Sequence, residues 1–442
     1  MKERVITFDK AIPELIRLIE DSSSELKDLE KIFVIRDLLG RMRLFVESRP
    51  AAGTAVERAL LDLARAARER LGPWALPEHE AILHGDDLTF DWSDDLDAAM
   101  LLREERPQVR LLDRQVTGMA WGRAEDPGVP GTTPRLVFYS LKGGVGRSTA
   151  LAVTAWHLAA QGRRVLVLDL DLEAPGLSTS LLPPPNQPEF GLVDWFVEDA
   201  VGQGDHCLDK MISSSPLGRE LPGEILVVPA HGNEPGDYLA KLGRCYLDLP
   251  LPTAVQPDRW ERRLLRVVHA LEQRTDSDIT LLDVRAGLPD LAAVPTTSSA
   301  AEILLFAIDT EQTWAGYRIL FDFWNRVGVI RALRERLHMV AAMVPETQRE
   351  AYLSGFRERA WDLFLTFAYD HSTPNEELLD DVFTFDLADE TAPHTPIPVN
   401  WHRGFASLRD LNRVDTTLVT AAFGNFLQFI DGLLPAAIGN RL

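Results

Sequence analysis

Between residues 136 and 162 the chain reads LVFYSL, then Lys142-Gly-Gly-Val-Gly-Arg-Ser-Thr149, then an apolar helical period through Leu151, Ala155, Leu158 and Ala159 that stops at Gly162. A continuous apolar run of this kind is a strand buried on both faces, as in a parallel sheet. Parallel neighbours need a crossover, so strand, loop and helix in this order commit the chain to βαβ units. Gly143, Gly144 and Gly146 let the backbone turn tightly and bring its N–H groups up to an anion. The following helix presents its positive end at the same point. Together they form a phosphate cradle, and Ser148 opens the helix where a hydroxyl can ligate Mg²⁺.

The rest of this half repeats the pattern. Apolar strand candidates are RVLVLDLD (164–171), GEILVVPA (223–230), DITLLDV (278–284), EILLFAID (302–309) and HMVAAMV (338–344), with helical stretches between them. The expected fold class is α/β, a doubly wound, mainly parallel sheet, with ligands at the carboxyl ends of its strands. A chain of 442 residues implies two or three domains at about 100–200 residues each. The Pro- and Gly-dense segment 124–134 reads as a linker between an N-terminal α+β domain, 1–123, and a nucleotide domain, 135–442. In the former, periodicity predicts helices over 10–19 and 54–71, the second ended by Gly72. It predicts strands in KIFVIRD and RMRLFVE, joined at Gly40, and a further strand somewhere in 109–121.

The strict pattern G-x-x-x-x-G-K-[ST] fails in two places, because Leu141 stands at the first glycine and Arg147 at the lysine. What the segment resembles is the deviant Walker A motif, KGGxGK[ST], of the ParA/MinD family of P-loop ATPases. The resemblance implies that Gly143, Gly144, Val145, Gly146, Arg147, Ser148 and Thr149 hold ATP phosphates. It also implies that Lys142 reaches across a nucleotide-sandwich homodimer to the partner's phosphates. VLVLDLDLEAPGLS resembles the family's switch I, which would make Asp171 position the attacking water, supported by Asp169. DITLLDVRAGLPD resembles Walker B and switch II, with Asp283 on Mg²⁺ through water and Gly287 offering an N–H to the γ-phosphate. Ser148, Asp171 and Asp283 would then be the metal set, and Lys142, Asp171 and Asp283 the catalytic one. The resemblance covers about residues 135–345.

The implied activity is ATP hydrolysis driving a dimerisation switch that assembles or positions partner proteins, with residues 1–123 contacting the partner. Arg147 departs from this pattern, since a planar fork does not replace a point charge conservatively. Backbone donors should preserve nucleotide binding, while hydrolysis, which depends on charge placement, should slow. The alternative is a nucleotide-sensing regulatory subunit with little hydrolysis, in a multi-protein bacterial stress or anti-phage system. Met343-Val344-Pro345 stands where relatives often carry an asparagine for adenine, so ATP rather than GTP rests on the resemblance alone.

Charge narrows the partners. The chain has 46 Lys and Arg against 67 Asp and Glu, a net −21, which repels nucleic acid and anionic lipid. Arg326, Arg331, Arg334 and Arg336, interleaved with Glu335, read as a solvated face. Asp370 to Glu390 reads as an acidic loop. The last 25 residues, LVTAAFGNFLQFIDGLLPAAIGNRL, hold one Arg and no Lys, so they lack the cations of a membrane-surface helix. They are expected to form a core-packing helix ending near Gly432. Two cysteines, Cys207 and Cys245, and the charged start MKERVITFDK fit a cytoplasmic protein.

Overall fold

A computed structural model of the chain describes residues 6–87, 96, 99–124, 133–250, 257–370, 382–405 and 416–434. Residues 125–132 of the expected linker, and Glu376, Glu377, Asp380 and Asp381 of the acidic run, lie outside these described residues. Two compact units part between Met119 and Ala120.

The first unit is a five-stranded mixed sheet in the order β3-β2-β1-β5-β4. Its strands are β1 (Lys31–Arg36), β2 (Met42–Val46), β3 (Ile82–His84), β4 (Met100–Arg103) and β5 (Gln108–Asp113). Alternation along β1 sends Ile32 and Val34 to a core with Leu15, Ile19, Leu60 and Leu63 of the helices Phe8–Asp21 and Ala55–Leu71. Phe33 and Ile35 point to the other face, beside Phe45 and Leu112. Thr54 caps the second helix by accepting from Glu57 N at 3.3 Å, while the Glu57 carboxylate accepts from Gly53 N at 2.5 Å. The strand expected within 109–121 ends at Asp113, and Met119–Gly122 is a 3₁₀ turn.

The second unit begins at Ala120, ahead of the expected linker. Trp121 packs 5.6 Å from the Tyr139 ring and 6.0 Å from Trp324, which binds residues 120–123 to this core. Its sheet has eight strands in the order β13-β12-β11-β6-β10-β7-β9-β8. All six expected strands are present as β6 (Arg135–Ser140), β7 (Arg164–Leu170), β9 (Glu224–Val228), β10 (Ile279–Val284), β11 (Glu302–Ala307) and β12 (Leu337–Val344). Every pairing among them is parallel. Among the described residues of this sheet, sequence reasoning missed its two edges, β8 (Ser213–Ser214), which is antiparallel, and β13 (Ile397–Asn400). β8 is too short to show a period, and β13 carries Pro398, which an edge strand tolerates.

Leu136 and Phe138 of β6 face the helices Arg147–Ala160 and Thr416–Leu433, and Val137 and Tyr139 face the opposite layer. The C-terminal helix is a core element, as expected. Phe426 is fully buried, 6.4 Å from the Phe138 ring and 5.9 Å from Phe306. No helix among the described residues is long and apolar enough to cross a membrane.

Candidate functional site

The site is built at the carboxyl edge of β6, β7 and β10. The loop after Ser140 turns through Gly144 at φ 77° and Gly146 at φ 82°, a region that favours glycine. Val145 between them is buried and anchors the loop. A Cβ added at Gly143, Gly144 or Gly146 would meet nothing within 4 Å, so the loop opens onto free space. The helix Arg147–Ala160 starts directly behind it, with Ala150 N donating to Gly146 O at 2.9 Å. An open concave backbone in front of a helix N-terminus fits a phosphate chain.

The two sequence departures have structural partners. Leu141 fits because position 316 is glycine: a Cβ there would stand 2.9 Å from Leu141 Cδ1. Gly316 lies on the helix Glu311–Arg326. From the same helix, Gln312 accepts a hydrogen bond from Lys142 Nζ. Lys142 therefore has a partner within its own chain.

Arg147 turns away from the loop and into the sheet edge, with its side chain buried. Its Nε donates to Asp283 Oδ1 at 2.9 Å, its Nη1 donates to Ser140 Oγ at 3.2 Å, and its Nη2 stands 3.8 Å from Asp171 Oδ2. Ser148 Oγ donates to the other oxygen of Asp283 at 2.8 Å. Asp171 accepts from Ala174 N at 3.2 Å, and its own N–H donates to buried Asp169 at 3.3 Å. Burial pushes the Asp171 carboxyl above its ordinary value; Arg147 pulls it back and Asp283 pushes it further up. Burial likewise raises Asp283, against Arg147 and Ser148. A cavity of about 270 Å³ lies alongside, lined by Ser148, Thr149, Asp171, Ser180 and Asp283 among others.

The expected residues thus converge, but on Arg147. Magnesium demands near-octahedral oxygen ligation at about 2.0–2.1 Å. The residue types suit it, yet both oxygens of Asp283 are engaged and the cation between the carboxylates is the guanidinium. Among the described residues no group of three or more His, Cys, Asp or Glu is arranged to hold a metal ion. As arranged, the edge fits a phosphate chain and does not fit a metal, which enters this set only after Arg147 leaves Asp283.

Gly287 also differs from expectation. At φ 92° its N–H donates to Ser140 O at 3.0 Å, and its carbonyl accepts from Tyr139 Oη at 2.7 Å. The N–H expected to meet a γ-phosphate is used inside the protein. Trp121 Nε1 donates to the next carbonyl, Leu288 O, at 3.2 Å. Ser140, Tyr139, Gln312 and Gly316 were not singled out from sequence. Ser140 ends the strand before the loop and was within reach of inspection, but no spacing signals Gln312 or Gly316.

The arginines over 326–336 are largely engaged internally. Arg326 pairs with Asp322 at 3.0 Å, Arg334 with Asp370 at 2.6 Å, and Arg336 donates to Ala301 O at 3.0 Å.

No protein-family model and no curated protein matches the chain. Solved structures do. One is a putative plasmid partition protein from Borrelia burgdorferi bound to AMPPNP, at 12% identity over 69% of this chain and 100% of that one, TM-score 0.42. Another is a ParA family ATPase from Chlorobium tepidum, at 11% identity over 67% and 99%, TM-score 0.41. A third is pNOB8 ParA bound to nonspecific DNA, at 17% identity over 68% and 97%, TM-score 0.41. Plasmid-partition and ParA-family proteins are what this chain is similar to, at identities and scores that leave its function to be read from its own residues.

Proposed function

We propose that this chain binds a nucleoside triphosphate, ATP by resemblance, on the loop 143–149 and uses it as a dimerisation switch for partner proteins. The observation that carries the reading is the glycine loop itself, open to free space between β6 and the N-terminus of its helix. Backbone N–H groups of Gly143 to Gly146 hold the phosphates, and Lys142 leaves Gln312 to act across a homodimer. Asp171, on its Asp169 support, orients the attacking water. Residues 1–119 carry the switch to a protein partner. Nucleic acid is outside the proposal, given the net charge of −21 and the internal partners of Arg326, Arg334 and Arg336.

One observation favours the slower version of this switch, a nucleotide sensor with little hydrolysis: Arg147 is committed to Asp283. Calorimetry with ATP should give a heat of association, and light scattering should give a doubled mass that Lys142→Ala abolishes. Phosphate release at the level of an Asp171→Ala control marks the sensor, and release well above it marks the ATPase. Absence of any heat with ATP or GTP sinks both.

A further inference from the structure

We infer that Arg147 is a resident counter-cation that takes the place of the divalent metal, so that this chain binds nucleoside triphosphate without magnesium. The inference rests on the nucleotide reading above and concerns how that site neutralises charge.

A cation at the carboxyl edge of such a sheet has two tasks. It offsets the acidic strand ends and it draws in the phosphates. The Arg147 guanidinium already performs the first, 2.9 Å from one carboxylate and 3.8 Å from the other. It is also the wrong residue to be displaced. Removing one partner from a buried ion pair leaves an uncompensated charge, which costs far more than an exposed pair returns. A metal ion binding Asp171 and Asp283 would have to expel the guanidinium and strand it.

A lysine here would be different, because an ammonium is a compact point charge. Only a planar fork with five N–H donors spans Asp283, Ser140 and Asp171 together. Its loosest contact is the one to Asp171, at 3.8 Å, beyond hydrogen-bond length. Asp171 lines the cavity. Donors at that end of the fork are the ones left for a phosphate oxygen, which guanidinium binds well. The neighbouring hydroxyl, Ser148, is already turned to Asp283.

The test titrates the full chain with AMPPNP by calorimetry, once in EDTA and once in excess MgCl₂. Dissociation constants within about threefold of each other are expected. Arg147→Ala should lose about tenfold or more in EDTA and regain most of it with Mg²⁺. Arg147→Lys should behave in the same direction. As a readout free of nucleotide, Mn²⁺ followed by paramagnetic resonance should bind Arg147→Ala and leave the parent protein untouched. Parent binding that needs Mg²⁺ by about a hundredfold overturns the inference and spares the nucleotide reading. No heat in either arm overturns both. Should Arg147→Ala melt early, the two arms on the parent protein and the Mn²⁺ spectrum still decide.

Discussion

Two buried arginine–carboxylate pairs stand at opposite ends of the same two strands. Below β6 and β10, Arg135 meets Glu272 through two bonds of 2.7 Å; its third donor goes to Ser299 O at 2.9 Å, and Thr280 Oγ1 donates to Glu272 at 2.9 Å. Above them, Arg147 makes one good bond to Asp283, a longer one to Ser140 and a loose approach to Asp171. The lower pair is saturated; the upper one is under-satisfied, and its Asp283 lines the cavity. Identical chemistry therefore clamps the sheet at one end and stays available at the other. Completeness of hydrogen bonding, more than burial, separates structure from function here.

Breaking the clamp should have the largest effect. Glu272→Ala, measured by guanidinium unfolding, should cost about 3–5 kcal/mol, because Arg135 is left buried without a partner. Arg147→Ala should cost less, toward the lower end of about 3–5 kcal/mol, since buried Asp283 loses its cation but keeps the Ser148 hydroxyl. Equal losses would erase the distinction between the ends.

Protonation sharpens it. The folded-state pKa of Asp171 is raised above its unfolded value, so folding favours its protonated form. That contribution is full below the unfolded pKa and is lost as pH rises through the raised folded value. Asp171→Asn should therefore raise the thermal midpoint at neutral pH, and the gain should shrink as the parent carboxyl takes up its proton in acid. A gain independent of pH would mean that the strain at Asp171 is not electrostatic. The smallest effect belongs to Gly316→Ala. The new methyl meets only the movable end of Leu141, so denaturation should register less than about 1 kcal/mol.

The sequence showed the central strands because each is a near-continuous apolar run, and it showed the glycine loop because its glycines lie between such a run and a helix. The second unit takes in residues 120–123, ahead of the Pro- and Gly-rich segment, since composition marks where such a segment lies and not where a residue such as Trp121 packs. Direction was the hidden quantity at the site. Arg147 is plain in the motif, but that its fork turns to Asp283 follows from strand order, which places β10 beside β6. Gly287 was legible only by resemblance, as an N–H donor to phosphate; that Ser140 O claims this N–H was not. The Arg135–Glu272 clamp joins residues 137 positions apart, and no periodicity reaches that far.

Phe426 sits against Phe138 and Phe306, so the helix Thr416–Leu433 completes the layer beneath the glycine loop. During synthesis the first unit can gather its own core early. The second cannot close over β6 and β11 until this late helix has left the ribosome. Until then the aromatic underside of the glycine loop is bare, which leaves the growing chain more exposed to aggregation than the folded unit.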